Sequence, residues 1–186
     1  VNAVEAALTS RTKAILAVHL GGWPCDLPAL ASLAKSSGVA LVEDCAQAHD
    51  AAINGVKVGT FGVASSWSFC QDKIITTLGE GGMVTTNDAM LWETMWSYKD
   101  HGKSYEKVHQ AHPPGFRWLH ESFGTNWRLT EVQSAVGRVA LRRLPDWVDA
   151  RRANASEFIQ TLRGLDGVRL PVPSETVRNA YYKFYC

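Results

Sequence analysis

Short apolar runs and helically spaced apolar residues alternate along the first half of the chain. Residues 13–19 (KAILAVH) and 39–44 (VALVED) fit buried strands. Between them, residues 27–37 fit a helix, with Asp26 as its cap, Pro28 in the first turn and Gly38 just past the end. Strand, helix and strand make a βαβ unit, which implies a parallel sheet with helices on its faces. Two further strands are predicted over 63–69 and 82–86, each preceded by a polar, glycine-containing stretch (54–62 and 71–81). Asn87 and Asp88 offer a cap for a helix over 89–98. From 99 to 126 the periodicity fades among Gly102, Pro113, Pro114, Gly115 and Gly124, which predicts a long loop. Residues 129–144 and 147–162 read as two helices broken at Pro145, and 168–170 as the start of a strand region. The final AYYKFYC alternates like a strand and stops without a turn, and the first residue is not Met, so both ends read as cut from a longer chain. No internal repeat or low-complexity tract is present.

Composition narrows the class. The 186 residues are 46% hydrophobic and 20% charged, which excludes disordered, collagen-like and coiled-coil chains and suggests one domain with part of a second. The near-neutral total hides an asymmetry: residues 1–93 carry 5 basic and 9 acidic side chains (net −4), residues 94–186 carry 14 and 9 (net +5). The arginines of the second half (Arg138, Arg142, Arg143, Arg151, Arg152) fall at helical spacing and read as a solvated face, so no nucleic-acid partner is expected. The four cysteines form no CxxC pair and have no metal-type spacing, which points to reduced thiols in a cytoplasm and to no metal site. No apolar run approaches the roughly 20 residues that cross a bilayer, and no signal peptide is recognisable, so no membrane association is expected.

Three residues carry candidate chemistry. Glu43 and Asp44 end a predicted strand, and in open parallel sheets ligands bind beyond such ends, so a carboxylate there can meet a cationic group. Lys73 follows another strand and precedes a turn with Gly79, Gly81 and Gly82, whose backbone can approach a bound group closely. Taken singly, Asp44 also reads as a turn residue and Lys73 as a solvated charge. Together they suggest more: a buried lysine amine with a lowered pKa forms a Schiff base with an aldehyde cofactor, and a carboxylate keeps a pyridine nitrogen protonated as an electron sink.

Four blocks carry a resemblance: VHLGGWPCD, VEDCAQAHD, SSWSFCQDKIITTLGEGGMVTTND and GTNWRLTEVQSAVG. In order and spacing the chain resembles the DegT/DnrJ/EryC1/StrS sugar aminotransferases, which use pyridoxal 5′-phosphate (PLP) on the aspartate-aminotransferase fold. The resemblance implies the fold class: α/β, a three-layer α/β/α PLP-binding large domain over residues 1–145, with the start of a small C-terminal α+β domain over 146–186. It implies that Lys73 anchors PLP and moves the proton between cofactor and substrate carbons, and that Asp44 pairs with the pyridinium nitrogen. Ala46 would pack on the ring, Gln47 would bond near the phenolic oxygen and Ser68 would bind the phosphate. Asn126 would reach the phosphate of a neighbouring subunit's cofactor, making the site a property of a homodimer. The implied activity transfers an amino group, with glutamate as the amino-acid donor, to a nucleotide-linked keto-sugar in amino-sugar biosynthesis. Trp127 and Trp23 depart from the residues usual at those positions and bear on substrate fit. Arg117, Arg128 and His120 are candidates for the diphosphate on charge and location alone. His49 and His101 read as structural histidines, and His109 with His112 lack a third ligand for a metal. Three alternatives are a PLP-dependent sugar dehydratase, which has histidine where Lys73 stands, a non-catalytic dimerising or regulatory module, and a nucleotide-binding module using the basic half.

Overall fold

The computed structural model describes residues 1–186. Two compact units divide them, Val1–Thr85 with Glu131–Cys186, and Thr86–Thr130. In chain order the elements are α1 (Asn2–Ala7), β1 (Ala14–Val18), a 3₁₀ turn (Leu20–Gly22), α2 (Leu27–Ser36) and β2 (Ala40–Asp44). A hairpin of β3 (Ala52–Ile53) and β4 (Val56–Lys57) comes next, followed by β5 (Ala64–Ser68), β6 (Gly82–Thr85), α3 (Ala89–Lys99) and α4 (Tyr105–His109). The chain continues through α5 (Glu131–Leu162) and β7 (Val177–Arg178).

The βαβ expectation holds in the first unit. The Asp26 carboxylate accepts the Ala29 N–H at 3.3 Å, and α2 buries Leu27, Leu30, Leu33 and Ala34. The main sheet has the order β1-β2-β5-β6, with the first three strands parallel and β6 antiparallel to β5, so it is mixed α/β rather than purely parallel. Only alternate residues of β1 are buried: Ile15 and Ala17 join the core, whereas Leu16 and Val18 face outward. The stretch 54–62, expected to be an irregular approach to a strand, instead contains a hairpin turn. Asn54 (φ 50°) and Gly55 (φ 78°) both have positive φ, as a two-residue type I′ loop requires.

Pro145 does not break the second half into two helices. It cannot donate to the Leu141 carbonyl, yet α5 runs through it, because Ala140, Leu144, Val148, Ala155 and Ile159 form one buried stripe on both sides. Burial of that stripe outweighs one lost hydrogen bond. Neither 168–170 nor the terminal AYYKFYC forms a strand. The terminal segment docks instead on the 3₁₀ turn, where Ala180 N–H donates to the Gly22 carbonyl and Lys183 N–H to that of Gly21. This close approach requires glycine: a Cβ on Gly22 (φ +93°) would lie 2.9 Å from the backbone nitrogens of Tyr181 and Tyr182.

The unit Thr86–Thr130 is more ordered than the loop expected over 99–126. Asp88 caps α3 through Leu91 N–H (3.0 Å), and Ser104 caps α4 through Lys107 N–H. Trp92 and Trp96 meet the Tyr105 ring edge-on at 4.7 and 4.9 Å. Isolated bridges join Asp100 to Asn126 and Lys103 to His120. No helix of the chain is long and apolar enough to cross a membrane.

Candidate active site

Strand alternation separates the two carboxylates at the end of β2. Glu43 is fully buried, and its carboxylate accepts N–H groups from Gly59 (2.6 Å), Phe61 and Gly62 (2.8 Å each). The fourth donor is His19. The Cys25 N–H donates to His19 Nδ1 at 3.1 Å, which assigns the proton to Nε2, and Nε2 lies 3.2 Å from Glu43. Burial opposes ionisation of Glu43, but these hydrogen bonds outweigh it and hold its pKa below the ordinary carboxylate range. Glu43, an equal candidate with Asp44 on sequence, is therefore a structural anchor for residues 59–62. With Cys45 it also belongs to a buried trio whose possible metal-donor atoms lie within 4.8 Å of one another. Both His19 nitrogens and both Glu43 oxygens are already engaged there, and burial raises the Cys45 thiol pKa, so the trio is a hydrogen-bond network rather than a ligand set.

Asp44 lies on the other face, half-buried, at the carboxyl end of β2 between Val18 of β1 and Ser66 of β5. Its Oδ1 accepts Ala46 N–H at 3.0 Å. Gln47 Oε1 accepts Gly21 N–H at 2.7 Å, which leaves the amide NH₂ as the outward-acting group. Ser68 ends β5, and its hydroxyl oxygen accepts Cys70 N–H at 3.3 Å while its own proton remains available. Lys73 sits in the turn that follows, with its side chain 15% exposed. Its Nζ is 3.6 Å from the Asp72 carboxylate and 4.9 Å from the centre of the Tyr182 ring. Burial opposes the ammonium, but Tyr182 and Asp72 outweigh it, so the pKa is raised, where the sequence suggests a lowered one.

His49, two residues past Gln47, is buried against Trp67 and Phe69, with ring centres 5.6 and 6.1 Å away. Burial lowers its pKa to about 4, against the Ser68 carbonyl, and the Lys73 charge adds to the lowering. It is a neutral ring at physiological pH.

Asn126 belongs to the other unit, where its side-chain oxygen accepts from Arg128 Nε at 2.9 Å. Arg117 donates to the carbonyls of Gln110 and Lys107, Arg128 also lies 3.8 Å from Asp100, and His120 Nδ1 is 2.8 Å from the His101 carbonyl. His109 and His112 each meet a carbonyl of their own through Nδ1, that of Tyr105 and that of Pro113. Asp72 and Tyr182 escaped the sequence reading. The adjacency of Asp72 to Lys73 was visible, but nothing in the chain before folding brings Tyr182 across 109 positions to the same amine.

A sequence model described as the DegT/DnrJ/EryC1/StrS aminotransferase family matches residues 1–186. The dTDP-3-amino-3,4,6-trideoxy-alpha-D-glucose transaminase of Streptomyces venezuelae is 38% identical over 181 residues, 97% of this chain and 45% of the relative. The GDP-perosamine synthase of Escherichia coli O157:H7 is 37% identical over 182 residues, 98% of this chain and 47% of that protein. Among solved structures, the aminotransferase from Psychrobacter cryohalolentis superposes with a TM-score of 0.91 at 50% identity, covering 97% of this chain and 48% of that one. The chain thus spans about half the length of the relatives it matches.

Proposed function

We propose, from the premise that this chain belongs to the DegT/DnrJ/EryC1/StrS aminotransferase family, that it carries the cofactor-binding part of a PLP-dependent transaminase. The substrates in this reading are an amino-acid donor, glutamate by resemblance, and a nucleotide-linked keto-sugar. The single observation that carries the proposal is that Asp44, Gln47, Ser68 and Lys73 lie in one unit, at or just beyond the carboxyl ends of two neighbouring parallel strands. The donor set fits PLP: Asp44 retains an anionic oxygen for a pyridinium N–H, Gln47 an amide N–H for a phenolate, Ser68 a hydroxyl proton for a phosphate, and Lys73 an amine for an aldehyde.

PLP, when bound, supplies an aldehyde that exchanges amines and a ring that draws electrons from the bond being broken. Asp44 would favour a positive charge on the ring nitrogen, because its half-buried carboxylate is a hydrogen-bond acceptor at the end of β2. Gln47 would orient the ring, Ala46 would pack a methyl on its face and Ser68 would hold one phosphate oxygen. Lys73 Nζ would be the covalent anchor and, when free, the base and acid that moves a proton at the substrate carbon. By the family resemblance Asn126 would reach the phosphate held by a neighbouring subunit, which would make the working unit a homodimer. In the same reading residues 1–145 form the three-layer large domain and 146–186 open the small one, with α5 running from one into the other.

The test is borohydride reduction of the PLP-incubated full-length protein followed by peptide mass spectrometry. A pyridoxyl adduct on Lys73 is expected, with its loss when glutamate is added before reduction. No adduct on Lys73 would refute the reading and turn attention to a non-catalytic module.

A further inference from the structure

The amine of Lys73 is not free. Tyr182 donates its hydroxyl to Asp72 in a short hydrogen bond, and the other Asp72 oxygen lies 3.6 Å from Lys73 Nζ. The same Nζ sits over the Tyr182 ring, 4.9 Å from its centre, within cation–π range. One ring and one carboxylate, linked to each other, thus hold the ammonium from two sides. Tyr182 is 9% exposed and is fixed from behind, because the segment 180–183 is hydrogen-bonded to the carbonyls of Gly21 and Gly22, where no larger residue fits. The Asp72 carboxylate is held below its ordinary pKa by the Tyr182 hydroxyl bond first, so it stays anionic beside the amine. The hydroxyl is correspondingly raised and remains the donor.

We propose that Asp72 and Tyr182 form a dock for the Lys73 ammonium, a positioning pair that receives the amine whenever it is not covalently engaged and opposes its re-engagement. The proposal rests on the reading of Lys73 as the covalent anchor. An amine attacks a carbonyl only through its nitrogen lone pair, which the ammonium lacks, so whatever stabilises the ammonium lowers the fraction of nucleophile. The dock therefore trades speed of cofactor capture for a defined position of the amine after release. Loss of Asp72 is then expected to make Lys73 more reactive, the opposite of what removing a mere structural support would do.

The experiment measures acylation of Lys73 by acetic anhydride in the full-length, cofactor-free protein across pH, read by peptide mass spectrometry against the exposed Lys35 as internal standard. Asp72→Asn is expected to raise the Lys73 labelling rate near neutral pH by about 2- to 5-fold, the range a partly exposed ion pair supports. Its pH profile shifts to lower pH while that of Lys35 stays in place. Tyr182→Phe keeps the ring and removes the hydroxyl that fixes the Asp72 carboxylate beside the amine, so a smaller change in the same direction is expected. An unchanged Lys73 profile in Asp72→Asn, or slower labelling, overturns the dock. A parallel PLP incubation with borohydride trapping separates this proposal from the one on which it rests. Faster labelling with faster appearance of the pyridoxyl adduct supports both. Faster labelling with no adduct leaves the dock standing and refutes Lys73 as the cofactor anchor.

Discussion

Glu43→Gln tests how much of the first unit hangs on one buried carboxylate. The substitution keeps the shape and removes the charge. One Glu43 oxygen accepts Phe61 and Gly62 N–H, the other Gly59 N–H and the His19 Nε2 proton. A glutamine amide must place its NH₂ at one of these two positions, so in either orientation two N–H donors face another donor. His19 cannot relieve the conflict by moving its proton, because Nδ1 is needed to accept Cys25 N–H. An unsatisfied buried polar group costs about 1–3 kcal/mol, so the pair costs about 2–6 kcal/mol, a large share of the roughly 5–15 kcal/mol that stabilises a domain. Urea unfolding followed by the fluorescence of the seven tryptophans reads the difference as a lowered midpoint. A loss below about 1 kcal/mol would mean that the four-donor network does not hold the 59–62 segment, and the assignment of Glu43 as structural would fall.

Further outcomes follow from the same geometry. His49 has a folded pKa of about 4 against 6.5 for the free group, so the unfolded chain takes up a proton that the folded chain refuses. Its stabilising effect is complete above pH 6.5 and is lost as pH falls through about 4, a change of roughly 3 kcal/mol. Thermal unfolding of wild type and His49→Phe across that window should diverge accordingly, and parallel curves would contradict the burial argument. Gly22→Ala should destabilise by more than Gly38→Ala, since Gly38 (φ +64°) has nothing within 4 Å of an added Cβ, whereas Gly22 meets backbone. Gly38→Ala reports the strain of positive φ alone, about 1–2 kcal/mol. Equal midpoints for the two would deny that the terminal segment docks on the 3₁₀ turn.

The parts of the fold that were legible are those where local signals agree. Asp26, Pro28, the apolar face of α2 and Gly38 all point to one helix, and the runs on either side could only be strands. Pro145 does not end the helix because its local effect competes with the buried stripe from Ala140 to Ile159. The Asn54-Gly55 turn has a local signal in its residues, whereas the docking of 180–183 on Gly21 and Gly22 is a long-range contact with no periodic trace. In the candidate site, the blocks around Asp44 and Lys73 carry the family resemblance in their own residues. The surroundings of Lys73 do not: its raised pKa depends on Tyr182, which only the folded chain delivers.

The adjacent acids of β2 have a consequence for anyone building variant libraries of this protein. Glu43 and Asp44 differ by one pleat, yet under the proposed function a defect at Glu43 is expected to lower yield and a defect at Asp44 to lower turnover. A screen that scores only product would rank the two positions alike. Sorting first for soluble expression and then for activity should split them by parity along the strand, with Glu43 variants disappearing at the first gate and Asp44 variants at the second.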